Sequence, residues 1–150
     1  MARYNAHDQQ QLAIFGPFFG TILLTIIVWV YMYIRRIHFF QTTKLPLEQL
    51  TRSGGLARLS PPGVNNPSEN LKNLFEVPIL FYAFSLYLFV TTQVDATYVF
   101  ASWIFFVFRV LHSSIHCTFN HIMSRFYCYQ FSCAALFFMI FRAMLAHFFS

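Results

Sequence analysis

The stretch VPILFYAFSLYLFVTTQVDATYVFASWIFFVFRV, residues 77–110, decides the fold of this chain. It contains two long apolar segments that are separated only by TTQVDAT, and Asp95 is the one charged residue before Arg109. A helix needs about 20 predominantly apolar residues to cross the hydrocarbon core of a bilayer. Because the connection is so short, we predict two antiparallel membrane-spanning helices, with Asp95 or Thr92 as the N-cap of the second.

The rest of the chain extends this pattern. Of its 150 residues 57% are hydrophobic and only 10% are charged, which indicates a membrane protein. We interpret residues 1–150 as one all-α domain, an integral membrane four-helix bundle, with spans at 11–34, 71–92, 96–118 and 126–149. The first span lacks a preceding basic region and a cleavage site, so we expect a permanent helix rather than a signal peptide. Three cysteines in or beside spans indicate packing residues rather than disulfides: Cys117, Cys128 and Cys133.

The distribution of basic residues predicts the orientation in the membrane. The opposite side from the main cluster carries only Arg3 and Arg142. By the positive-inside rule, the first and third connections are cytoplasmic and both termini lie on the non-cytoplasmic side. The charges form no stripe among exposed aromatic residues, so we expect no nucleic-acid partner. The cluster in or beside these two connections consists of Arg35, Arg36, Lys44, Arg52, Arg58, Lys72 and Arg125.

The first connection, residues 35–70, has the composition of a cytoplasmic surface loop. Gly54 and Gly55 and the prolines at 61–62 favour turns, with room for one short interfacial helix. The sequence NPSENLKNLFE near its end is typical of a helix start. Asn66 is the expected cap, Pro67 the first helical residue and Glu69 the acid of a capping box.

Ionisable side chains at membrane depth are costly, so each indicates a partner or a polar cavity. Arg109, His112 and His116 recur at i, i+3 and i+7 and therefore share one face of the third span. Asn73 and Glu76 share a face of the second span. Since the two spans are antiparallel, Glu76 should lie level with Arg109 and Asn73 level with His116. We predict a polar cleft that is open to the cytoplasmic side.

Arg125 and Tyr129, one turn apart at the start of the fourth span, should face the same cleft. Three cations around one acid leave positive charge for an anionic ligand. Alternatively, a Glu76–Arg109 ion pair only holds the second and third spans together. A third hypothesis is a metal or haem site on His112 and His116, one turn apart, with His121 or Cys117 as a further ligand.

These positions resemble the motifs of the MAPEG family, the membrane-associated proteins in eicosanoid and glutathione metabolism. That family's second span carries a basic residue, an asparagine and then a glutamate, as in KNLFE at 72–76. Its third span carries arginine, histidine and tyrosine; RVLHSSIH at 109–116 has the same spacing, with His116 in place of the tyrosine. An arginine and a tyrosine follow, as at Arg125 and Tyr129. NLFEVPILFYA and RVLHSSIH are most similar to the bacterial branch.

The resemblance implies a homotrimer that binds glutathione as a cosubstrate in clefts between subunits. It implies that Arg125 is catalytic and stabilises the glutathione thiolate, while Arg35 or Arg36 reaches the site of a neighbouring subunit. One departure from the mammalian transferases is Glu69, which stands where they often have an arginine. The remaining glutathione contacts implied by the resemblance are Lys72, Asn73, Glu76, Arg109, His112, His116 and Tyr129.

The expected function is a glutathione-dependent transferase or peroxidase that acts on lipophilic electrophiles arriving from the bilayer. The alternative is a non-catalytic protein of this family, free or as an accessory subunit of a larger membrane complex, that binds lipid in the inherited cleft. The expected partners are membrane lipids and a lipophilic small-molecule substrate. Similarity to the bacterial branch favours a bacterial inner membrane over an endomembrane.

Overall fold

A computed structural model describes residues 5–43 and 58–149, and their regular structure is entirely helical. Four helical spans are long and apolar enough to cross a membrane, so the predicted all-α four-helix membrane fold is confirmed. Two of the four spans are composite. In chain order the helices are α1 (Ala6–Leu12), α2 (Phe15–Thr42), α3 (Pro62–Leu74), α4 (Val77–Val90), α5 (Ala96–Cys117) and α6 (Ile122–Phe149).

The helices extend beyond the predicted spans, chiefly at the end of the bundle that carries Arg35, Arg36 and Arg125. Helix α2 continues to Thr42 and α3 already begins at Pro62, so the region 35–70 is not one long loop. The ends of α5 agree with the prediction to within one residue, while α6 begins four residues earlier. The predicted turn at Gly54 and Gly55, and the basic residues Arg3, Lys44 and Arg52, lie outside the described residues.

The start of α3 differs from the predicted cap. Pro62 occupies the first helical position after Pro61, and Pro67 lies buried inside the helix, so Asn66 caps nothing. A proline at position i has no N–H for the carbonyl at i−4, and here that carbonyl belongs to Gly63. The Nε of Arg35 on α2 donates to this carbonyl at 3.0 Å. The interior proline therefore creates the acceptor that joins α2 to α3.

The second span is broken between α3 and α4. Phe75 and Glu76 leave the helical conformation, with φ −97° and ψ −96° at Glu76. Pro78 at the second position of α4 explains the break, because its ring clashes with the preceding turn and it cannot bond the carbonyl of Leu74. The prediction of one uninterrupted helix over 71–92 was wrong for this reason.

Small residues let α2 and α5 pack closely. A Cβ on Gly20 would lie 2.8 Å from Cε2 of Phe106, and one on Gly16 would lie 3.0 Å from Cζ2 of Trp103. Glycines four residues apart allow such approach between membrane helices. Phe81 of α4 stacks on Phe105 of α5 with ring centroids 4.3 Å apart. This buried layer lies beside the polar face of α5.

The N-terminal end of α5 is capped by Asp95. Its Oδ1 accepts from the N–H of Tyr98 at 2.9 Å, so Asp95 is the N-cap, whereas Thr92 has a positive φ of 55° and lies in the connection. The same carboxylate accepts two hydrogen bonds from Arg142 of α6, one of them at 2.9 Å from Nη1. The guanidinium of Arg142 holds the pKa of Asp95 below its ordinary value of 3.8.

Candidate functional site

The polar face of α5 is buried within the single chain. Arg109 is 0% exposed, and His112 and His116 are each 3% exposed. The i, i+3, i+7 spacing does place the three on one face, but they do not line an open cleft. Helix α6 covers them, because the two helices are antiparallel neighbours joined by only four residues. The prediction of a cleft open to the cytoplasmic side is corrected accordingly.

Arg125, near the start of α6, forms hydrogen bonds with both histidines. Its backbone carbonyl lies 2.8 Å from Nδ1 of His112, and its Nη1 lies 2.7 Å from Nε2 of His116. A carbonyl only accepts and a guanidinium only donates, so these contacts assign the tautomers. His112 carries a proton on Nδ1, and its Nε2 has no partner among the described residues. His116 is neutral and carries its proton on Nδ1.

The guanidinium of Arg109 has no hydrogen-bond partner among the described residues. All three of its nitrogens are buried and unpartnered, as are Nε2 of His112 and Nδ1 of His116. The Cζ atom of Arg109 lies 4.6 Å from the ring centroid of Tyr129 and 5.5 Å from that of Phe105. These ring faces offset part of the desolvation cost of the charge. The site therefore retains unsatisfied donors and unneutralised positive charge.

The predicted partner of Arg109 lies elsewhere. Glu76 is exposed at the break between α3 and α4, and no ion pair joins it to Arg109 in the described chain. Because the backbone leaves the helical conformation at the break, Glu76 does not lie on the same helix face as Asn73. Asn73 itself is half-buried. Lys72 is exposed and pairs with Glu69 at 2.8 Å. None of Lys72, Asn73 and Glu76 is thus brought into hydrogen-bond contact with the α5 polar face by α3 or by the break that follows it.

The arginines at the end of α2 are engaged with α3 of their own chain. Besides the bond from Arg35 to Gly63, Nη2 of Arg36 donates to Oγ of Ser68 at 2.8 Å. Neither arginine bonds to the histidines or to Arg125 in the described chain. A contact with the site of a neighbouring subunit stays a prediction.

Two asparagines belong to the site region although the sequence interpretation did not select them. Asn70 is fully buried; its Nδ2 lies 3.5 Å from Sγ of Cys117, and its Oδ1 accepts from Oγ of Ser113 at 3.3 Å. Asn120 has a φ of 48°, and its Oδ1 accepts from Nη1 of Arg125 at 2.9 Å. An asparagine three residues after the last helical residue, Cys117, is a recognisable signal, because asparagine tolerates the left-handed conformation that often follows helices.

The residues of this region do not assemble a metal site. Among the described residues, no group of three or more His, Cys, Asp and Glu side chains could hold a metal ion. The rings of His112 and His116 have centroids 5.6 Å apart at 88°, and each has one nitrogen already bonded to Arg125. The metal hypothesis has no third ligand in the described chain.

Comparison with known proteins gives one match. The model of the MAPEG family matches residues 14–145, which covers all four spans and the polar positions described above. None of the curated proteins and none of the solved structures matches the chain.

Proposed function

The chain belongs to the MAPEG family, and from this premise we propose that it is a glutathione-dependent membrane transferase or peroxidase acting on lipophilic electrophiles. The observation that carries the proposal is the unneutralised charge of Arg109 and Arg125. Neither has a carboxylate partner in the described chain, and the buried guanidinium of Arg109 interacts with the neutral side chain of Tyr129 instead. A buried cation without a counter-charge is so costly that an anionic ligand is its natural complement.

Glutathione fits the donors that remain free. It carries two carboxylates, one ammonium and one thiol, and arginine is the side chain best suited to bind a carboxylate. Arg125 uses only Nη1 toward the described residues, so its other nitrogens can still donate. Tyr129 is half-buried over Arg109, and a ligand that reaches the Arg109 guanidinium must displace this ring. Exposed Glu76 is available for the ammonium group.

Arg125 is the proposed catalytic residue. A guanidinium beside a thiol lowers the pKa of the thiol and raises the fraction of thiolate at neutral pH. The bonds from Arg125 to His116 and Asn120 hold it in place. In the transferase reaction the thiolate sulfur bonds to the electrophilic carbon, and the leaving group departs with the electron pair. In the peroxidase reaction the thiolate sulfur bonds to one peroxide oxygen and the O–O bond breaks, so that the other oxygen leaves with the bonding pair and is protonated to the alcohol. The thiol of a second glutathione then attacks the resulting sulfenic acid, which gives the disulfide and water.

The first test is the thermal unfolding midpoint of the detergent-purified protein with and without millimolar glutathione. A ligand that binds only the folded state raises the midpoint once its concentration exceeds its dissociation constant. We expect a rise in the wild type, a smaller rise in Arg125→Lys and none in Arg125→Ala. Glu76→Gln should also weaken the effect, whereas Glu69→Gln is the matched control because Glu69 already pairs with Lys72.

Turnover with a lipophilic electrophile and with an organic hydroperoxide completes this test. The proposal requires conjugation or peroxide reduction that depends on glutathione and falls in Arg125→Lys, where a single ammonium replaces the guanidinium fork. A wild type with neither thermal stabilisation nor turnover would contradict it.

A second candidate function is favoured by the burial of the α5 polar face. Side chains that are at most 3% exposed in a single chain suit a non-catalytic family member, free or as an accessory subunit, whose polar groups hold α5 to α6. In either case we propose a homotrimer, and native mass spectrometry should then give three times the 17.7 kDa chain mass. A stable complex with other proteins and no glutathione effect would favour the accessory role.

A further inference from the structure

A groove between α2 and α5, on the lipid-facing surface, carries an inference beyond the proposed function. It has a volume of about 310 Å³. Leu24, Val28 and Tyr31 form its α2 wall, and Ser113, Ser114 and Cys117 contribute to its α5 wall. The groove is separate from the buried polar face, because Arg109, His112 and His116 do not line it.

The polar atoms of Ser113, Ser114 and Cys117 in the groove wall are already hydrogen-bonded within the chain. Oγ of Ser114 donates to the carbonyl of Val110 at 2.8 Å, and Oγ of Ser113 donates to Asn70. Sγ of Cys117 is the acceptor from Nδ2 of the same asparagine. An apolar occupant therefore leaves no donor of these side chains unpaired and incurs little desolvation cost. The surrounding solvent at this depth is hydrocarbon, so an acyl chain is the occupant of matching chemistry.

Arg35 supplies a charge at the cytoplasmic end of the groove. Val28, Tyr31 and Arg35 are spaced i, i+3 and i+7, so they share one face of α2. The Nε of Arg35 bonds to Gly63, while its two terminal nitrogens make no hydrogen bond and no ion pair with described residues. The side chain is only half-buried, which leaves these donors available to an anion.

The dimensions match one leaflet of a bilayer. Eleven residues separate Leu24 from Arg35, a rise of about 16 Å along the helix axis. Half of the hydrocarbon core is about 15 Å thick. A chain lying against Leu24 would thus end in a headgroup at the level of Arg35.

We propose that the α2/α5 groove binds one anionic phospholipid of the cytoplasmic leaflet, with an acyl chain in the groove and the phosphate against the guanidinium of Arg35. This role of Arg35 differs from the contact with a neighbouring subunit's site that the family resemblance implies for Arg35 or Arg36. It leaves Arg36 as the candidate for that contact. The assignment does not depend on glutathione binding.

The experiment compares lipid retention by native mass spectrometry after exchange into phosphatidylglycerol or phosphatidylcholine with identical acyl chains. We expect the wild type to retain phosphatidylglycerol preferentially. Arg35→Gln should reduce this preference roughly fivefold, the effect of one basic residue at an anionic surface, while Arg36→Gln, whose arginine faces Ser68, should keep it. Ser114→Trp fills the groove and should abolish retention, whereas Leu111→Trp on the exposed side of α5 should not.

A measurement on the wild type removes the dependence on variant folding. Phosphatidylglycerol with a photoreactive group on its acyl chain should form adducts within residues 24–31 and 113–118. Adducts spread evenly over all lipid-facing helices would overturn the proposal, as would equal retention of the two lipids by wild type and Arg35→Gln. Efficient disulfide formation between copies of Ser114→Cys would assign the groove to a second chain instead of a lipid.

Discussion

A fully buried guanidinium without a carboxylate partner in the described chain is energetically costly. Arg109 is fully buried, its nitrogens are unpartnered, and only the rings of Tyr129 and Phe105 face its charge. Burying one charge costs several kcal/mol in desolvation, and an apolar side chain of similar volume does not carry this cost. A residue that lowers stability in this way is expected to contribute to ligand binding.

Arg109→Met tests this interpretation. Without glutathione, we expect the variant to unfold at a higher temperature than the wild type, because a charge is removed from an apolar environment. With glutathione, the wild type should gain stability and the variant should not. Arg142→Met is the control, since Arg142 has a carboxylate partner and its loss should lower the midpoint. A destabilised Arg109→Met would instead indicate that Arg109 holds α5 to α6.

The positions of single residues could be predicted from helical periodicity, but their partners could not. Arg109, His112 and His116 share a face because helical periodicity requires it, and they do so in the structure. The prediction that Glu76 pairs with Arg109 assumed an uninterrupted helix. Pro78 breaks that helix at Glu76, so the assumption fails. Asn70 was missed because a single asparagine near a helix start looks like a surface residue.

At the scale of elements, α2 and α5 pack closely because Gly16 and Gly20 have no side chain at their contact. Gly20→Ala would bring a methyl group to 2.8 Å from the ring of Phe106, which is closer than real contacts allow. We expect a loss of roughly 1–3 kcal/mol in the free energy of unfolding. Gly16→Ala should cost less, because its nearest atom on Trp103 is 3.0 Å away. Thermal unfolding in detergent ranks the two variants.

A double variant shows whether the clash with Phe106 causes the destabilisation by Gly20→Ala. Phe106→Leu removes the clashing ring, so Gly20→Ala should cost clearly less in that background than in the wild type. Equal costs in the two backgrounds would show that the glycine acts through helix flexibility rather than through close packing.

The ion pair between Asp95 and Arg142 joins the start of α5 to the end of α6, and its contribution depends on pH. Because the folded-state pKa of Asp95 is lowered, the pair contributes fully above pH 3.8 and is lost as the pH falls through the lowered value. Both side chains are more than a third exposed, so solvent screening limits the contribution to about 1 kcal/mol or less.

Asp95→Asn measures this contribution, because asparagine also caps helices and the N-cap is kept. At pH 7 the variant should unfold at a lower temperature than the wild type, and the difference should shrink below pH 3.8 and vanish once the pH lies below the lowered pKa of Asp95. Arg142→Met should have a similar effect, and the double variant should be no worse than either single one. A difference that persists in acid would assign the effect to the cap.

The boundaries of the elements were harder to predict than their number. Hydropathy identified four spans because the bilayer requires long apolar segments. Hydropathy could not place the start of α3, because Pro62 and Pro67 are equally suited to a first helical turn. The hydrogen bond from Arg35 to the carbonyl of Gly63 favours the start at Pro62. The glycine pair of GPFFG at 16–20 was a usable signal for the α2/α5 contact.

At the scale of the whole molecule, the described charges are strongly asymmetric. One end of the bundle carries an excess of cations, while the basic residue at the other end, Arg142, is neutralised by Asp95. This asymmetry supports an orientation with the former end in the cytoplasm. The cations at that end of the described chain are Arg35, Arg36, Arg58, Lys72 and Arg125.

Cysteine labelling in bacterial cells tests the orientation. In a background without Cys117, Cys128 and Cys133, which are free thiols, single cysteines are placed at exposed positions in the two short connections. Gln93→Cys should react with a membrane-impermeant maleimide in intact cells, because we expect the 91–95 connection outside. His121→Cys should react only after permeabilisation. The opposite pattern would place the Arg125 region, and with it the proposed glutathione site, away from the cytoplasm, where reduced glutathione would no longer be at hand as a cosubstrate.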